Sequence, residues 1–541
     1  MTGETAGPLP GLTSASMTTR DGIRLDADIW RPTTGTGPWP VLLMRQAYGR
    51  RLGSSLCYAH PAWYAGQGFM VVVQDVRGRG TSEGVFDAFR HEGADGAEAV
   101  EWAAGLAGSN GHVGLFGFSY QGTLQLLAAA HRPPALKAMA PAMVGWDLTA
   151  DWVSEQGAMR LAPNLGWGVQ MAALSALHQG EVAAFEKLAS AARGLPLAGA
   201  VPGRPEALAT ELALGHYPAW RDTPADDPFW AGLSPAAQEP AIAAAGIPAL
   251  FVGGWFDTHL IGTLAAHKAL GGTLIVGPWT HFPWDRLVGE RDFGPEAAHP
   301  IDAAQVAFFR YWLAGEGAPP APLQWFDMGT LGWCHELAAG EVVLHLAGDG
   351  RVSVATQSGH LLADPAAPAV DYLVHDPWRP APACGGAFAT PAGPVDRARH
   401  DQRADVLTFT TAPMAAPLAI AGAVSASLSL LADAPSCDIA CTLSRIDAEG
   451  RVWQIAEGYR RLEAEDLAAP VAISLHATCC TIAPGEALRL SIAAAAFPAY
   501  PVNPGTGAAS IDTPRHAARI ITLGLATGAG TGSVLRLGAG L

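Results

Sequence analysis

The run Gly117-Phe118-Ser119-Tyr120-Gln121-Gly122 lies where a short apolar stretch gives way to helical spacing. A serine there can serve as a nucleophile. The chain must turn sharply, glycines keep the turn free of clashes, and the hydroxyl ends above a sheet edge at the positive end of the next helix. The short form of this motif has glycine two places after the serine; here Gln121 takes that place and Gly122 follows. A serine hydroxyl is a poor nucleophile until a base removes its proton, and the base needs an acid to hold its tautomer. Two later segments supply both. Gly253-Gly254-Trp255-Phe256-Asp257 follows the strand-like residues 247–252, and Gly277-Pro278-Trp279-Thr280-His281 follows residues 273–276. Each presents one ionisable side chain on what reads as a loop after a strand. Taken singly, Asp257 reads as a turn former and His281 as a satisfied histidine. In this order and this setting, they predict a Ser119–His281–Asp257 triad.

Acyl transfer also needs donors for the tetrahedral oxyanion. The backbone N–H of Tyr120 is one. The other is expected from the loop after an early strand, Gln46-Ala47-Tyr48-Gly49, as the Tyr48 hydroxyl or a second amide. Trp146, Trp152, Trp167, Phe256 and His259 are candidates to line a substrate pocket, because ligand sites favour domain interfaces. An aromatic lining would suit an aryl or bulky acyl group. Asp226-Asp227-Pro228-Phe229-Trp230 reads as a helix start.

The surrounding elements must bring these residues to one edge. Residues 23–30 alternate like an antiparallel strand. Residues 41–45, 69–74, 113–118 and 136–143 are short apolar runs, as expected of strands buried on both faces. Residues 95–106 and 120–130 have helical spacing, with Asp95 as the expected N-cap of the first. This alternation predicts an α/β fold with a mostly parallel sheet, over residues 1–145 and again over 246–317. Residues 146–245 are rich in Ala, Leu and Trp, with helical spacing and no convincing strand, and predict an inserted helical cap. From residue 318 to 541 the pattern becomes short alternating strands separated by Asp, Gly and Pro, which predicts an antiparallel sandwich of jelly-roll type. The run 77–84, Arg-Gly-Arg-Gly-Thr-Ser-Glu-Gly, reads as a structural turn whose glycines permit positive φ.

The bulk properties set limits. The chain has 541 residues, 49% apolar and 15% charged, enough to bury several cores and too apolar for extensive disorder. A formal net charge of -16 argues against nucleic acid as a partner. The seven cysteines include no CxxC pair and read as reduced thiols. Adjacent Cys479 and Cys480 sit in an apolar run and read as buried small hydrophobes. No basic start with an apolar core marks a signal peptide, and no apolar stretch is long enough to cross a bilayer. The chain therefore reads as soluble and cytoplasmic, with no membrane partner. A homodimer is left open.

These residues resemble the cocaine-esterase-like (CocE/NonD) hydrolases, which are related to X-prolyl dipeptidyl aminopeptidases and α-amino-acid ester hydrolases. The matching text includes the Tyr48 loop, Gln74 to Gly84, Asp95-Gly96 with Glu101-Trp102, Gly117 to Gly122, Gly254 to Asp257 and Gly277 to His281. It continues with Tyr372, Asp376-Pro377, Gly385-Gly386, Arg403 to Leu407, Phe497-Pro498 and Asn503 to Gly507. The resemblance implies an α/β-hydrolase domain, an inserted helical cap and a C-terminal jelly roll. It also implies nucleophile Ser119, base His281, orienting acid Asp257 and an oxyanion hole of Tyr48 hydroxyl and Tyr120 amide, with no metal and no cofactor. In the amino-acid ester hydrolases, acidic residues shortly after the catalytic aspartate bind the substrate ammonium. Here Thr258-His259 follow Asp257, which argues against recognition of a free amine. X-prolyl peptidases are longer, with extra N-terminal structure, so a non-peptidase role is expected. The expected substrate is a small-molecule ester or amide. Alternatives are acyl transfer or peptide cleavage through the same triad, or an inactive scaffold whose jelly roll binds carbohydrate or a surface. A haloalkane dehalogenase or epoxide hydrolase needs an aspartate nucleophile at the elbow, and Ser119 argues against it.

Overall fold

A computed structural model describes residues 11–52, 55–336 and 340–540. The N-terminal part is built on a ten-stranded sheet. Its first six strands are β1 (Leu12–Thr18), β2 (Arg24–Trp30), β3 (Trp39–Gln46), β4 (Met70–Asp75), β5 (Ser109–Phe118) and β6 (Leu136–Ala142). Two small hairpins stand apart from it: β7 (Ser154–Glu155) with β8 (Ala158–Met159), and β11 (Leu287–Val288) with β12 (Arg291–Asp292). The sheet is completed by β9 (Leu250–Phe256), β10 (Thr273–Thr280), β13 (Leu323–Asp327) and β14 (Gly332–Cys334). Its spatial order is β1-β2-β4-β3-β5-β6-β9-β10-β13-β14. The strands from β4 to β13 pair in parallel, and antiparallel pairs close both edges. Every residue of β4 is buried. Burial on both faces is why this centre reads as unbroken apolar runs rather than alternation.

Helices α1 (Pro61–Gly66), α2 (Glu92–Ala104) and α3 (Tyr120–Ala130) link the early strands. Between β6 and β9 the chain leaves the sheet for α4 (Leu161–Gln179), α5 (Val182–Ala192), α6 (Ala209–Leu212) and α7 (Tyr217–Asp222). It returns through α8 (Glu239–Ala245), which packs against α3, and α9 (Leu260–Leu270) joins β9 to β10. The chain beyond β14 forms an antiparallel β domain. Its hub is the long strand Leu418–Ala432, which pairs antiparallel with Val471–Ile482, Ile521–Thr527 and Val534–Leu537. One apolar cluster runs from the first sheet into this domain, joining residues such as Trp325 and Phe326 to Leu428 and Leu475. At the junction the Asp327 carboxylate accepts the Thr481 backbone N–H at 2.8 Å.

Several local expectations are corrected. Strand β1 lies in the Gly/Pro/Thr-rich start and pairs along its length with β2; its Ser/Thr-rich, mostly exposed face hid it. Asp95 lies inside α2, whose N-cap is His91, and its carboxylate instead takes two N–H bonds from Arg77. The inserted segment does contain strand, the β7–β8 hairpin. Strands β9 and β10 also run further than residues 252 and 276, so the glycines and tryptophans read as loop belong to the sheet. Other expectations hold: the 77–84 run is a turn with Gly78, Gly80 and Gly84 at positive φ. Asp227 caps a short helix start by accepting the Phe229 N–H. Cys479 and Cys480 are buried in a strand.

Candidate active site

Ser119 is held at φ 60° and ψ −126° between β5 and α3, a strained conformation for a residue with a side chain. Its N–H donates to the Ala142 carbonyl at 2.8 Å and its carbonyl accepts from the Thr123 N–H at 3.0 Å, so the bend is fixed from both sides. The flanking glycines are required by space. A Cβ on Gly117 would lie 2.6 Å from Gln121 Cβ, and one on Gly122 would lie 2.5 Å from Val144 Cγ1 and 2.7 Å from the Ala142 carbonyl oxygen. Gly122 thus lets α3 approach the end of β6, which explains why the second glycine stands three places after Ser119.

Asp257 and His281 are the first residues beyond β9 and β10, neighbouring parallel strands. A Cβ on Gly254 would fall 2.3 Å from the Trp279 carbonyl oxygen, so the two strand ends converge closely at this point. The side chains form one line. His281 Nε2 is 2.9 Å from Ser119 Oγ, and His281 Nδ1 is 2.7 Å from Asp257 Oδ1. Asp257 is fully buried, and its Oδ2 accepts the His259 N–H at 3.1 Å. With a carboxylate at Nδ1, the imidazole proton belongs on that nitrogen, which leaves Nε2 free to take the serine proton.

Tyr48 stands beside Ser119. Burial pushes its phenol up to about 12, against smaller opposing effects from Trp167, Arg79 and Ser119. The hydroxyl is therefore protonated at neutral pH. It accepts the Trp167 Nε1–H at 3.2 Å, which leaves its own proton to donate. Tyr120 opens α3, where backbone N–H groups lack intrahelical partners. Its side chain anchors the helix start: the hydroxyl donates to Glu92 Oε1 at 2.9 Å and accepts the Phe89 N–H at 3.1 Å. Glu92 in turn pairs with buried Arg45 at 2.5 Å.

Ser119 and His281 open into a cavity of about 710 Å³. Of the expected pocket residues, Trp152, Trp167 and His259 line it. Trp146 and Phe256 do not: both are packed into the main apolar core, Phe256 as part of β9 rather than of a loop. Residues missed in the sequence include Phe118, Gln121, Arg160, Asn164 and Phe282, together with residues 387–390 from the C-terminal domain. No local motif marks Arg160 or Asn164, and the 387–390 wall depends on how two distant parts of the chain meet. His259 packs against Trp152 with ring centroids 4.0 Å apart and planes tilted by 36°, and burial lowers its basicity far below the ordinary range. Among the described residues, Asp327, Cys334 and Cys479 are grouped closely enough to suggest metal ligands. The Asp327 carboxylate is already occupied by the N–H groups of Gly329 and Thr481 and by the Thr481 hydroxyl, which fits a structural junction.

A sheet-edge serine on a strained bend, a neighbouring imidazole and a buried carboxylate define the serine hydrolases of α/β type. Residues 21–283 match the family model of X-Pro dipeptidyl-peptidase (S15 family), and residues 338–527 match the X-Pro dipeptidyl-peptidase C-terminal non-catalytic domain. The chain is 31% identical over 533 residues to cocaine esterase of Rhodococcus sp. (strain MB1 Bresler), covering 90% of this chain and 91% of that one. The chain belongs to the cocaine-esterase-like (CocE/NonD) hydrolases of the X-Pro dipeptidyl-peptidase family, and it is a serine hydrolase acting on esters or peptides. Solved structures share the fold. An aminopeptidase from a marine-sediment Thaumarchaeota archaeon superimposes with TM-score 0.81 at 21% identity, over 97% of this chain and 96% of that chain. An α-amino acid ester hydrolase gives 0.76 at 21% identity, over 99% of each. No helix among the described residues is long and apolar enough to cross a membrane.

Proposed function

We propose that this protein hydrolyses a carboxylic ester through an acyl intermediate on Ser119. The observation that carries the reading is the continuous line from Ser119 Oγ through His281 to Asp257. His281 Nε2 takes the serine proton as Oγ attacks the ester carbonyl carbon. The oxyanion that forms is held by the Tyr48 hydroxyl and the Tyr120 N–H, while Asp257 stabilises the imidazolium. Collapse of the tetrahedral species breaks the C–O bond, and His281 gives its proton to the departing alcohol. Water, deprotonated by the same ring, then releases the acid and restores Ser119.

A fluorophosphonate probe tests the nucleophile. It should label the wild type stoichiometrically and leave Ser119→Ala unlabelled. His281→Ala should lose p-nitrophenyl ester turnover while its circular dichroism stays unchanged. Near-normal turnover in that variant would remove the ring from the mechanism. The free state of all seven cysteines supports assignment to a reducing, cytoplasmic compartment.

A further inference from the structure

A buried charge is costly unless a counter-charge meets it, so buried arginines are normally paired. Arg45 faces Glu92, Arg50 faces Asp75, Arg77 faces Asp95, Arg160 faces Glu155 and Arg397 faces Asp401. Arg79, only 2% exposed, has no carboxylate partner among the described residues. Its terminal nitrogens donate to the Ser175 hydroxyl at 3.0 Å and to the Met171 carbonyl at 3.2 Å, both neutral groups. Its Nε has no acceptor among the described residues, and its guanidinium carbon lies 3.7 Å from the centre of the Phe86 ring. Burial lowers its basicity to about 10, which leaves the charge in place at pH 7.

Holding α4 in place does not account for this residue. Ser175 Oγ already donates to the Met171 carbonyl at 3.1 Å, so both groups stay satisfied within the helix without Arg79. What surrounds the guanidinium is more informative. Its turn is fixed on both sides by glycine: a Cβ on Gly78 would collide with the Phe86 backbone, and one on Gly80 with the Asp75 carboxylate. The side chain is thereby sent into the aromatic cluster that holds Phe86, Met171, Tyr48 and Tyr120. Phe86 packs on Tyr120 with ring centroids 5.8 Å apart. Met171 stands one helical turn beyond Trp167, whose Nε1–H is bound by the Tyr48 hydroxyl. Glu92 is the carboxylate whose field reaches Arg79, and it is already engaged by Arg45 and by the Tyr120 hydroxyl. An unpaired cation in such a dry cluster keeps a long-range field, because neither a counter-ion nor water cancels it. That field opposes what burial does to the Tyr48 phenol.

We propose that Arg79 supplies a positive field behind the oxyanion hole, polarising the Tyr48 O–H so that it donates more strongly as charge grows on the substrate oxygen. Arg79 touches no reacting atom and acts through Tyr48, so it is a positioning residue. The proposal rests on the oxyanion role given to Tyr48 above. Arg79→Met keeps an unbranched stem and removes the charge. Its kcat on a p-nitrophenyl ester should fall by about tenfold or more with KM steady, because the field counts only once charge develops. The inhibition constant of phenylboronic acid, whose adduct with Ser119 is a tetrahedral anion, should rise by the same factor. Urea unfolding should give a midpoint no lower than that of the wild type, since an unpaired buried charge has been removed. A clamp would instead lose stability and leave boronate binding unchanged, and that result overturns the proposal. In the Tyr48→Phe background the same substitution should change kcat by no more than about twofold, because the hydroxyl that responds to the field is gone. Equal losses in both backgrounds would overturn action through Tyr48. If Tyr48→Phe is slow but Arg79→Met keeps the wild-type rate, only this proposal falls. If Tyr48→Phe is as fast as the wild type, the oxyanion reading falls and this one with it. Arg79→Gln repeats the comparison with a side chain that still hydrogen-bonds; if neither variant folds, the guanidinium is structural and the proposal is overturned.

Discussion

Tyr48 separates geometry from chemistry more sharply than any other side chain near Ser119. Its ring packs against the aromatic cluster, and its hydroxyl, which interacts with Ser119, is the proposed oxyanion donor. Tyr48→Phe keeps the ring and removes one donor. We expect kcat to fall by on the order of 10²-fold, with KM nearly unchanged, because the lost bond strengthens only as charge develops. Steady-state kinetics on a p-nitrophenyl ester checks this, and an unchanged kcat would leave Tyr48 as packing. Ser119, Asp257 and His281 were legible in the sequence because each terminates a strand-like run, and the order of the three constrains the chemistry. Pocket residues were less legible. An aromatic side chain looks the same in sequence whether it faces a cavity, as Trp152 does, or a core, as Trp146 does. Arg160 was invisible for a different reason: its burial depends on Glu155 and on Thr258 and Phe388, which lie far along the chain.

At the scale of elements, the site is a set of strand ends brought together by close backbone approach. Glycine spacing around Ser119 follows from this. Gly122 leaves no room for a methyl group between α3 and the residues at the end of β6. Gly122→Ala should therefore cost about 1–3 kcal/mol through overpacking. It should also reduce turnover more than its unfolded fraction explains, because relief of the clash requires α3 and Ser119 to shift. Chemical denaturation and active-site titration on the same preparation separate the two effects; an unperturbed midpoint with full activity would show that the approach is slack. The sequence predicted α3 over residues 120–130, its bounds in the structure, since helical spacing and the nucleophile turn mark both ends. It shortened β9 and β10, because Gly253-Gly254 and Gly277-Pro278 carry the local signature of turns. Sheet closure overrides that signature: Gly254 is where the Trp279 carbonyl passes, a contact that no local pattern announces.

Across the whole molecule, the inserted segment and the C-terminal domain are joined by a buried polar knot at the cavity wall. Glu155 accepts from Arg160 at 3.1 Å, from the Tyr500 hydroxyl at 2.7 Å and stands 2.9 Å from His476 Nε2. Arg160 passes the contact on to the Thr258 carbonyl, next to Asp257. Composition shifts disclosed these parts of the chain, but not that they share a charge. Burial alone would raise the Glu155 pKa; His476, Arg160 and Tyr500 outweigh it and hold the carboxyl at about 2, below its ordinary 4.5. A folded-state value below the unfolded one means that this group's contribution is complete above about pH 4.5. It is lost as pH falls toward 2. Glu155→Gln should therefore destabilise the protein by about 3–5 kcal/mol at pH 7, since it strands the Arg160 charge in the interior. The gap between wild type and variant should narrow between pH 4.5 and 2, as protonation makes the wild-type group resemble the amide. Urea unfolding of both proteins across that range reads the difference directly. A constant gap would mean that shape, rather than charge, joins the two parts. A variant as stable as wild type at pH 7 would mean that the C-terminal domain is held by its apolar contacts alone.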